Sequence, residues 1–597
     1  MKNRTYKDFR LFFVASCLWG TALCCHLLPS SPVRARVVIV AEGALALVFF
    51  FGLGICCGAR EDSSRLSLGL YLIVGSLCVS CMVINLSARQ AVDRAYGLEV
   101  GESAIGKEAL FLLHAQTPAL TSDRRGFTCK IDGEVEAWQY GGSVLSVRQP
   151  IRAYARSPSC PCEQGGYFWV RGTVSQATYG KAPLWLTASQ AKASSGEKST
   201  GVPATTRVRS PHRGLTVIHR MQEAFLDQSR RLSPQGQILL PGLTLGVLGT
   251  DAVVGGSDPS VPQAYLSRVK DSYLNLGMMH LMAVSGSHFV LVSRLLGWIL
   301  VRCQWRRKAT GGIQALAFCL LAVCMYPSDS VIRALIMGLL AILALCRGRI
   351  SSSFACLNLT VCLVLTFRPE FAWSYGFSLS VTAVYGIILF HRPCSAFLSR
   401  RLPGWLAQGL SMTICAQVLS LPISLLMQPS LPLLSPIANV MVAPFVEGAT
   451  ILGIAAFAIA WAAPRLAYAL LWLGSGCTQV MNQISLWLAD RPWCSLPWPQ
   501  GLAGVGALFA SYAVIILTYA VVKLFLAVKR SQTGTIEAGT VETGTVKAGT
   551  VEPDAAATVG SSWREKLGMG TRFPKDIREE VSWRWKEIKD AIFAGDW

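Results

Sequence analysis

The chain has 597 residues, of which 52% are hydrophobic and only 15% are charged, and its mean hydropathy is +0.43. These values argue against an ordinary soluble protein and predict a chain that crosses a membrane repeatedly. The formal net charge of +21 has two explanations: the Lys and Arg excess of cytoplasmic loops, or contact with a polyanion such as nucleic acid. The first applies to every membrane protein, so charge alone does not establish nucleic-acid binding.

The first 88 residues hold three apolar runs, each close to the length that a helix needs to cross a hydrocarbon core of about 30 Å. The runs are Leu11–Leu28, Val37–Cys57 and Leu66–Leu86. Basic residues precede the first run and place the N-terminus in the cytoplasm. We interpret the first run as a retained anchor, because no cleavage site is clear. Three crossings then deliver the next segment to the outside.

Residues 89–190 are richer in glycine and polar residues, and we predict that they form an extracellular β domain. Five strand-like runs occur in it: Ala109–His114, Thr128–Trp138, Val144–Ala153, Tyr167–Val174 and Pro183–Thr187. This number of strands fits a small OB-like β-barrel. The alternative is a generic extracellular β domain that binds no ligand.

Most of the 20 cysteines lie within apolar runs, where cysteine behaves as a small hydrophobic residue. Cys129, Cys160 and Cys162 lie instead in the predicted extracellular domain, and extracellular compartments are oxidising. We therefore expect one disulfide, between Cys129 and either Cys160 or Cys162.

The rest of the chain divides into three segments. Residues 191–235 are predicted to form a linker and an amphipathic helix, which either lies in the membrane interface or packs on the barrel. Residues 236–528 form a second membrane block, which raises the total to about 11–12 transmembrane helices in a mainly α-helical, polytopic protein. Residues 529–597 form a low-complexity and charged C-terminal tail.

One apolar stretch, Leu276–Val292, carries polar side chains at membrane depth: His280, Ser285, Ser287 and His288. Polar groups there are costly and usually face a bundle interior or a water-filled cavity. Gly286, between the two serines, can break the helix, and broken helices are tolerated where they line a cavity or are buried in protein. The alternative is a serine-rich kink that packs against neighbouring helices.

Five sequence blocks in this half of the chain resemble, in the same order, those of the ComEC family of competence proteins. They are Leu239–Asp251 (LLPGLTLGVLGTD), His280–His288 (HLMAVSGSH), Pro327–Gly338 (PSDSVIRALIMG), Tyr375–Ile387 (YGFSLSVTAVYGI) and Ser435–Gly453 (SPIANVMVAPFVEGATILG). Each block alone is weak, whereas five in the right order are specific. The family also carries an OB-like domain after its early spans, which strengthens the same interpretation of residues 89–190.

The resemblance implies a channel in the bacterial inner membrane that carries one strand of DNA into the cytoplasm during natural transformation. The partners that it implies are single-stranded DNA, a DNA receptor, ATP-driven competence proteins, a separate nuclease, the lipid bilayer and further copies of the chain in a homo-oligomer. The chain has no GxxxxGK[ST] loop for nucleotide binding, so we expect any ATP-driven step in a partner.

The residues expected to line the DNA path are His280, Ser285, Gly286, Ser287, His288, Arg333 and Asn439. Arg333 is the strongest candidate, because a permanent cation with bidentate geometry suits phosphate. Its alternative role is that of a helix-end arginine that reaches the lipid headgroups. The expected external contacts are the basic and aromatic residues Arg124, Arg125, Lys130, Arg148, Arg152, Trp138, Tyr154 and Trp169.

We predict no enzymatic activity, no cofactor and no metal site. Many members of the family end in a metallo-β-lactamase-like nuclease domain, whose metals require closely spaced His and Asp. None of the seven histidines has another histidine two residues away. The alternative function is a secondary transporter or a polytopic envelope enzyme with an unrelated site at the membrane midplane. A transporter of this kind is expected to show a second, matching broken helix, and only one break is evident.

Overall fold

The structure is a computed structural model, and it describes residues 10–27, 106, 108–122, 124, 126–140, 143–156, 160, 163–176, 184–189, 205–211, 213–251, 261–282, 284, 286–303, 306–349 and 351–541. The predicted spans Val37–Cys57 and Leu66–Leu86 and the tail beyond residue 541 lie outside these ranges. The chain divides into two compact units. The second contains Leu425–Pro429 and Trp498–Ala594, and the first contains the remainder.

The first unit contains a seven-stranded sheet, in which five strands match the predicted runs and close into a barrel. In chain order, the strands are β1 (Glu108–Ala115), β2 (Leu120–Thr121), β3 (Cys129–Tyr140), β4 (Ser143–Ala155), β5 (Tyr167–Gln176), β6 (Leu184–Ala188) and β7 (Thr205–Arg209). The closed ring runs β1–β3–β4–β6–β5 and back to β1, with only β4 and β6 parallel. Alternate side chains point into the ring, where Leu113, Ile131 and Leu186 are buried.

Two of these strands lie where the sequence predicted none. β2 pairs with the start of β3, and β7 pairs with β5 although it lies in the predicted linker. The side chains of β7 (TTRVR) are mostly exposed, so this edge strand carries no hydrophobic alternation that marks it in the sequence.

A disulfide within the barrel joins Cys129 to Cys160, whose Cα atoms are 6.2 Å apart. It corresponds to one of the two predicted pairings, and it ties the start of β3 to the segment that precedes β5. Cys162 lies outside the described residues.

Helices form most of the remaining structure. They are α1 (Arg10–Leu27), α2 (Arg213–Ser229), α3 (Pro234–Leu245), α4 (Gln263–Asn275), α5 (Gly286–Arg302), α6 (Arg307–Cys324), α7 (Asp329–Cys346), α8 (Ser353–Phe367), α9 (Tyr375–Leu398), α10 (Gly404–Met427), α11 (Ser435–Ile459), α12 (Pro464–Ala489) and α13 (Gly501–Val541). Short 3-10 turns cover Met279–Met282 and Pro369–Trp373, and two short strands, β8 (Ser430–Pro432) and β9 (Ser495–Pro497), pair antiparallel.

The helical part has the composition of a membrane protein. Five of the described helices are long and apolar enough to cross a membrane: α7, α9, α10, α11 and α13. Shorter apolar helices lie in α1, α5, α6 and α8. The predicted fold class, a mainly α-helical membrane protein with one small β-barrel, is confirmed. The last helix, α13, continues beyond the predicted membrane block to Val541.

The amphipathic helix α2 connects the barrel with the helical part of the first unit. His219 Nε2 lies 3.0 Å from the Gln164 carbonyl oxygen, beside the barrel. Gln222 Nε2 donates to the carbonyl oxygen of Cys324 at 2.8 Å, and Phe225 is buried among the helices. Of the two interpretations of this segment, the structure therefore favours the packed connecting helix.

A second attachment fixes the barrel at β2. The Thr121 amide donates to the main-chain oxygen of Asp251 at 2.8 Å, and the Thr121 hydroxyl donates to the Asp251 carboxylate at 3.2 Å. Lys270, on α4, donates to the same carboxylate at 3.0 Å. The barrel is thus anchored to the residues that lead into the broken helix.

Candidate functional site

The predicted helix break lies between the 3-10 turn at Met279–Met282 and α5, which begins at Gly286. Gly277, just before the turn, has a φ of +64°, a conformation that favours glycine. The chain therefore does not run as one helix from α4 into α5. Ser285, which the sequence placed in the DNA path, lies outside the described residues.

The short, buried helix α3 supports the break from one side. The Nε2 atom of His288 lies 2.6 Å from the Leu243 carbonyl oxygen, to which it donates across 45 residues of sequence. Gly246, which follows α3, has a φ of +87°, and an ideal Cβ on it would lie 3.0 Å from Val284. The first two sequence blocks therefore contact each other closely at this point.

Helix α7 brings Arg333 to the break. Ser328 caps this helix, because its Oγ accepts from the Val331 amide at 3.3 Å. Arg333 is only 6% exposed, and its Nη2 lies 3.4 Å from the position of an ideal Cβ on Gly286. No hydrogen bond or ion pair joins Arg333 to another described residue, and its Nε is buried without a partner. This burial argues against an arginine that reaches the lipid headgroups.

The carboxylate of Asp329, one helical turn before Arg333, bonds to a different helix. It accepts a short hydrogen bond from the Ser374 hydroxyl, and an ideal Cβ on Gly376 would lie 2.9 Å from Asp329 Oδ2. The hydroxyls of Ser330 and Ser380 lie 3.2 Å apart in the same interface. The third and fourth sequence blocks are joined in this way by α7 and α9.

His280 and Asn439 lie in a separate group, near Gly277. His280 is exposed, and its Nδ1 is 3.1 Å from the Gly277 carbonyl oxygen. Asn439 is buried and donates through Nδ2 to the main-chain oxygen of Ser435 at 2.8 Å. An ideal Cβ on Gly277 would lie 3.2 Å from Ser435 Oγ and 2.9 Å from Pro432. The fifth block therefore packs against the segment before the break.

The structure thus separates the predicted path residues into two groups. Gly286, His288 and Arg333 belong to the junction of α3, α5 and α7, with Ser287 exposed beside them. His280 and Asn439 belong to the turn at Gly277. Sequence reasoning missed the carboxylate of Asp329 as a partner of Ser374. These two residues are 45 positions apart, so no local spacing in the sequence predicts this contact.

An aromatic and basic cluster lies on the outer face of the barrel. The Arg124 guanidinium carbon is 5.3 Å from the centre of the Trp185 ring and 5.4 Å from that of Phe127. The guanidinium carbon of Arg156 also lies close to the Phe127 ring, 5.5 Å from its centre. Cation–π contacts of this kind hold the arginines over the rings. Phe127 and Trp185 were not among the predicted contacts, because a single aromatic residue in a loop or strand gives no periodic signal.

Several predicted external contacts are unavailable to a ligand in this structure. Tyr154 is 0% exposed and Trp138 is 4% exposed, so their assignment as stacking surfaces is wrong. Arg152 is bonded to Asp132 through Nε (2.6 Å) and Nη2 (3.0 Å). Burial lowers the pKa of the Arg152 guanidinium, but the hydrogen bond and charge of Asp132 outweigh burial and raise this pKa overall.

The remaining external candidates differ in exposure. Lys130 and Trp169 are half-buried, on β3 and β5 respectively. Arg148 lies on β4, but its side chain is outside the described part of the structure, and so is the whole of Arg125. Within the ranges that the structure describes, no group of three or more His, Cys, Asp or Glu side chains is placed to hold a metal ion.

Comparison with known proteins matches residues 263–524 to the family model described as "Competence protein". This region belongs to the competence protein family. It covers α4 to the apolar part of α13 and includes both groups of predicted path residues. The site at Gly286 and Arg333 therefore lies inside the competence domain.

Two curated relatives match shorter parts of the chain. ComE operon protein 3 of Bacillus subtilis (strain 168) is 29% identical over 179 residues, which are 30% of this chain and 22% of that protein. An uncharacterized protein of Aquifex aeolicus (strain VF5) is 32% identical over 145 residues, 24% of this chain and 33% of that protein. The chain thus aligns with a third or less of the length of these relatives. No solved structure matches it.

Proposed function

We propose that the protein carries single-stranded DNA across the bacterial inner membrane during natural transformation. The observation that carries this proposal is the arrangement of the competence domain around one broken helix, with a buried arginine at the break. A strand of DNA has one negative charge per nucleotide, and an apolar bilayer opposes its passage. A buried guanidinium beside non-helical backbone supplies positive charge and polar groups at membrane depth, where they are otherwise rare.

The β-barrel is proposed to be an OB-like domain that faces the outside and guides the strand to the helical part. Its closed five-stranded ring supports this assignment, as do the exposed Arg124 and Arg156 beside the half-buried Phe127 on its outer face. Single strands bind to basic surfaces that also offer aromatic rings. The anchor of Thr121 to Asp251 keeps this surface attached to the segment that leads into the break.

The remaining steps of DNA entry are assigned to partners. A DNA receptor delivers the strand, ATP-driven competence proteins supply energy, and a separate nuclease removes the other strand. In this scheme the protein itself binds and conducts DNA without cleaving it. Purified protein incubated with double-stranded DNA and Mn²⁺ or Zn²⁺ is therefore expected to leave the DNA intact.

Removal of the gene from its native host tests the proposal. The mutant strain is expected to bind labelled DNA at its surface but to accumulate none in the cytoplasm, and re-expression of the full chain should restore entry. Plasmid transfer by conjugation, which delivers a single strand by another route, is the control and should be unchanged. Normal transformation in the strain without the gene would refute the proposed function.

A further inference from the structure

A cleft of about 760 Å³ lies where the β-barrel meets the ends of α7 and α8. Its volume is within the range of about 300–1,000 Å³ that is typical of small-molecule sites. We propose that this cleft binds a phospholipid with an anionic headgroup, taken from the leaflet on the barrel side of the membrane. Lipid binding here would not depend on DNA transport.

The two sides of the cleft differ in polarity. The helical side carries large apolar side chains, among them Ile332, Ile336, Leu363 and Phe367. The barrel side presents polar side chains instead, among them His114 and Gln164. A molecule that fits both sides has an apolar body and a polar head, which is the composition of a phospholipid.

The apolar side extends from the helix ends into the membrane domain. Phe367, the last residue of α8, is 68% exposed. Ile336 lies seven residues after Asp329, the first residue of α7, so the lining reaches about 10 Å along this helix. One end of the cleft thus borders the barrel, and the other lies among helices apolar enough for a membrane. The headgroup and the acyl chain of a lipid require the same two environments.

A permanent cation lies at the rim of the cleft. Arg368 directly follows α8 and is exposed, and its side chain makes no hydrogen bond, ion pair or ring contact with any residue that the structure describes. A guanidinium binds phosphate oxygens well. No Asp or Glu is among the described residues that line the cleft, so none there would pair with the ammonium group of a zwitterionic lipid. A headgroup with a net negative charge therefore fits best.

A DNA strand fits this cleft less well than a lipid does. A strand carries one negative charge per nucleotide and binds along grooves with several basic residues. Arg368 is the only arginine or lysine among the described lining residues. One cation beside an apolar wall matches one headgroup and its acyl chain.

Photolabelling with a lipid tests the cleft directly. The full chain is placed in phosphatidylcholine nanodiscs that contain a small fraction of phosphatidylglycerol with a diazirine on its acyl chain, and labelled residues are mapped by mass spectrometry. Ile515 and Leu517, exposed apolar residues of α13, give the background from bulk lipid. Labelling of Ile332 and Leu363 is expected to exceed this background. Labelling at or below it would overturn the proposal, because the cleft would then be empty or covered by the chain itself.

Arg368→Gln tests the headgroup contact. It should lower labelling of the cleft by phosphatidylglycerol about fivefold, the usual contribution of one basic residue near anionic lipid. Phosphatidylcholine with the same diazirine should label the native cleft less and should not respond to this substitution. Arg347→Gln is the matched control, because Arg347 is an exposed arginine that directly follows α7 but does not line the cleft. An equal loss in both variants would show general attraction of lipid to arginine and would overturn the site.

Ile336→Trp tests the apolar end and guards against a folding defect specific to Arg368→Gln. The larger side chain fills the cleft but keeps the cation, so labelling of Ile332 and Leu363 should fall with either lipid. Thermal unfolding identifies which variants are folded, and undiminished labelling in folded Ile336→Trp protein would contradict the site. A single-stranded oligonucleotide is then added to the native chain and should leave the label unchanged. Its removal of the label would assign the cleft to DNA and refute the lipid.

Discussion

Single glycines determine how closely the helices of this protein approach each other. Gly386, on α9, lies against α10 so tightly that an ideal Cβ on it would overlap the main-chain oxygen of Cys415. A backbone oxygen cannot move aside as a flexible side chain does. We therefore expect Gly386→Ala to force the two helices apart and to lower the free energy of unfolding by about 1–3 kcal/mol, the usual cost of overpacking.

The test is thermal unfolding of the purified full chain in detergent, with Gly476→Ala as the matched control. Gly476 lies on α12, and an added Cβ there would meet no atom within 4 Å. Because alanine is the better helix former, this control is expected to be neutral or slightly stabilising. A similar loss of stability in both variants would show that close approach is not the cause.

At the scale of elements, the carboxylate of Asp251 strengthens the attachment of the barrel at β2. Asp251 accepts from the Thr121 hydroxyl and from Lys270, so Asp251→Ala removes both contacts and leaves only the main-chain bond between β2 and this segment. The side chains of Asp251 and Lys270 are each about one-third exposed, which limits the expected local loss to about 1 kcal/mol. The amide of Thr121 should then exchange with deuterium about five times faster.

Asp490→Ala is the control for this prediction. Asp490 Oδ2 lies 3.6 Å from Nη2 of Arg268, which is on the same helix as Lys270. The side chains of Asp490 and Arg268 are each more than 60% exposed. A solvent-exposed ion pair contributes little, so exchange at Thr121 should not change. Equal protection of Thr121 in the native and Asp251→Ala proteins would mean that the main-chain bond alone protects this contact.

The elements themselves were largely predictable, and the contacts between them were not. Strand alternation locates the five strands of the ring to within a few residues, and the apolar runs of residues 236–528 predict the membrane block, because each pattern is written in consecutive residues. β7 was missed because an exposed edge strand has no such pattern. The contacts of Gly286 with Arg333 and of His288 with Leu243 join distant segments. Only the tertiary packing of α3, α5 and α7 creates them.

For the whole molecule, the barrel and the break are proposed to act in series, with capture outside and passage within the membrane. Arg124 stacks on the outer rings of the barrel, whereas Arg333 is buried at the start of α5. A defect in capture should be overcome by more DNA, because binding saturates. A defect in passage should persist at every DNA concentration, because the strand that is captured still cannot cross.

The prediction is that Arg124→Ala lowers DNA entry several-fold at limiting DNA and little at saturating DNA, while Arg333→Gln lowers it at both. Arg171→Ala is the matched control, since Arg171 is an exposed arginine of β5 that stacks on no described ring. The salt dependence of oligonucleotide binding by the purified chain should become shallower in Arg124→Ala, because one phosphate contact fewer releases fewer counterions. If excess DNA rescued Arg333→Gln as fully as Arg124→Ala, both residues would act in capture. The proposal that the barrel captures DNA and the membrane domain passes it would then be wrong.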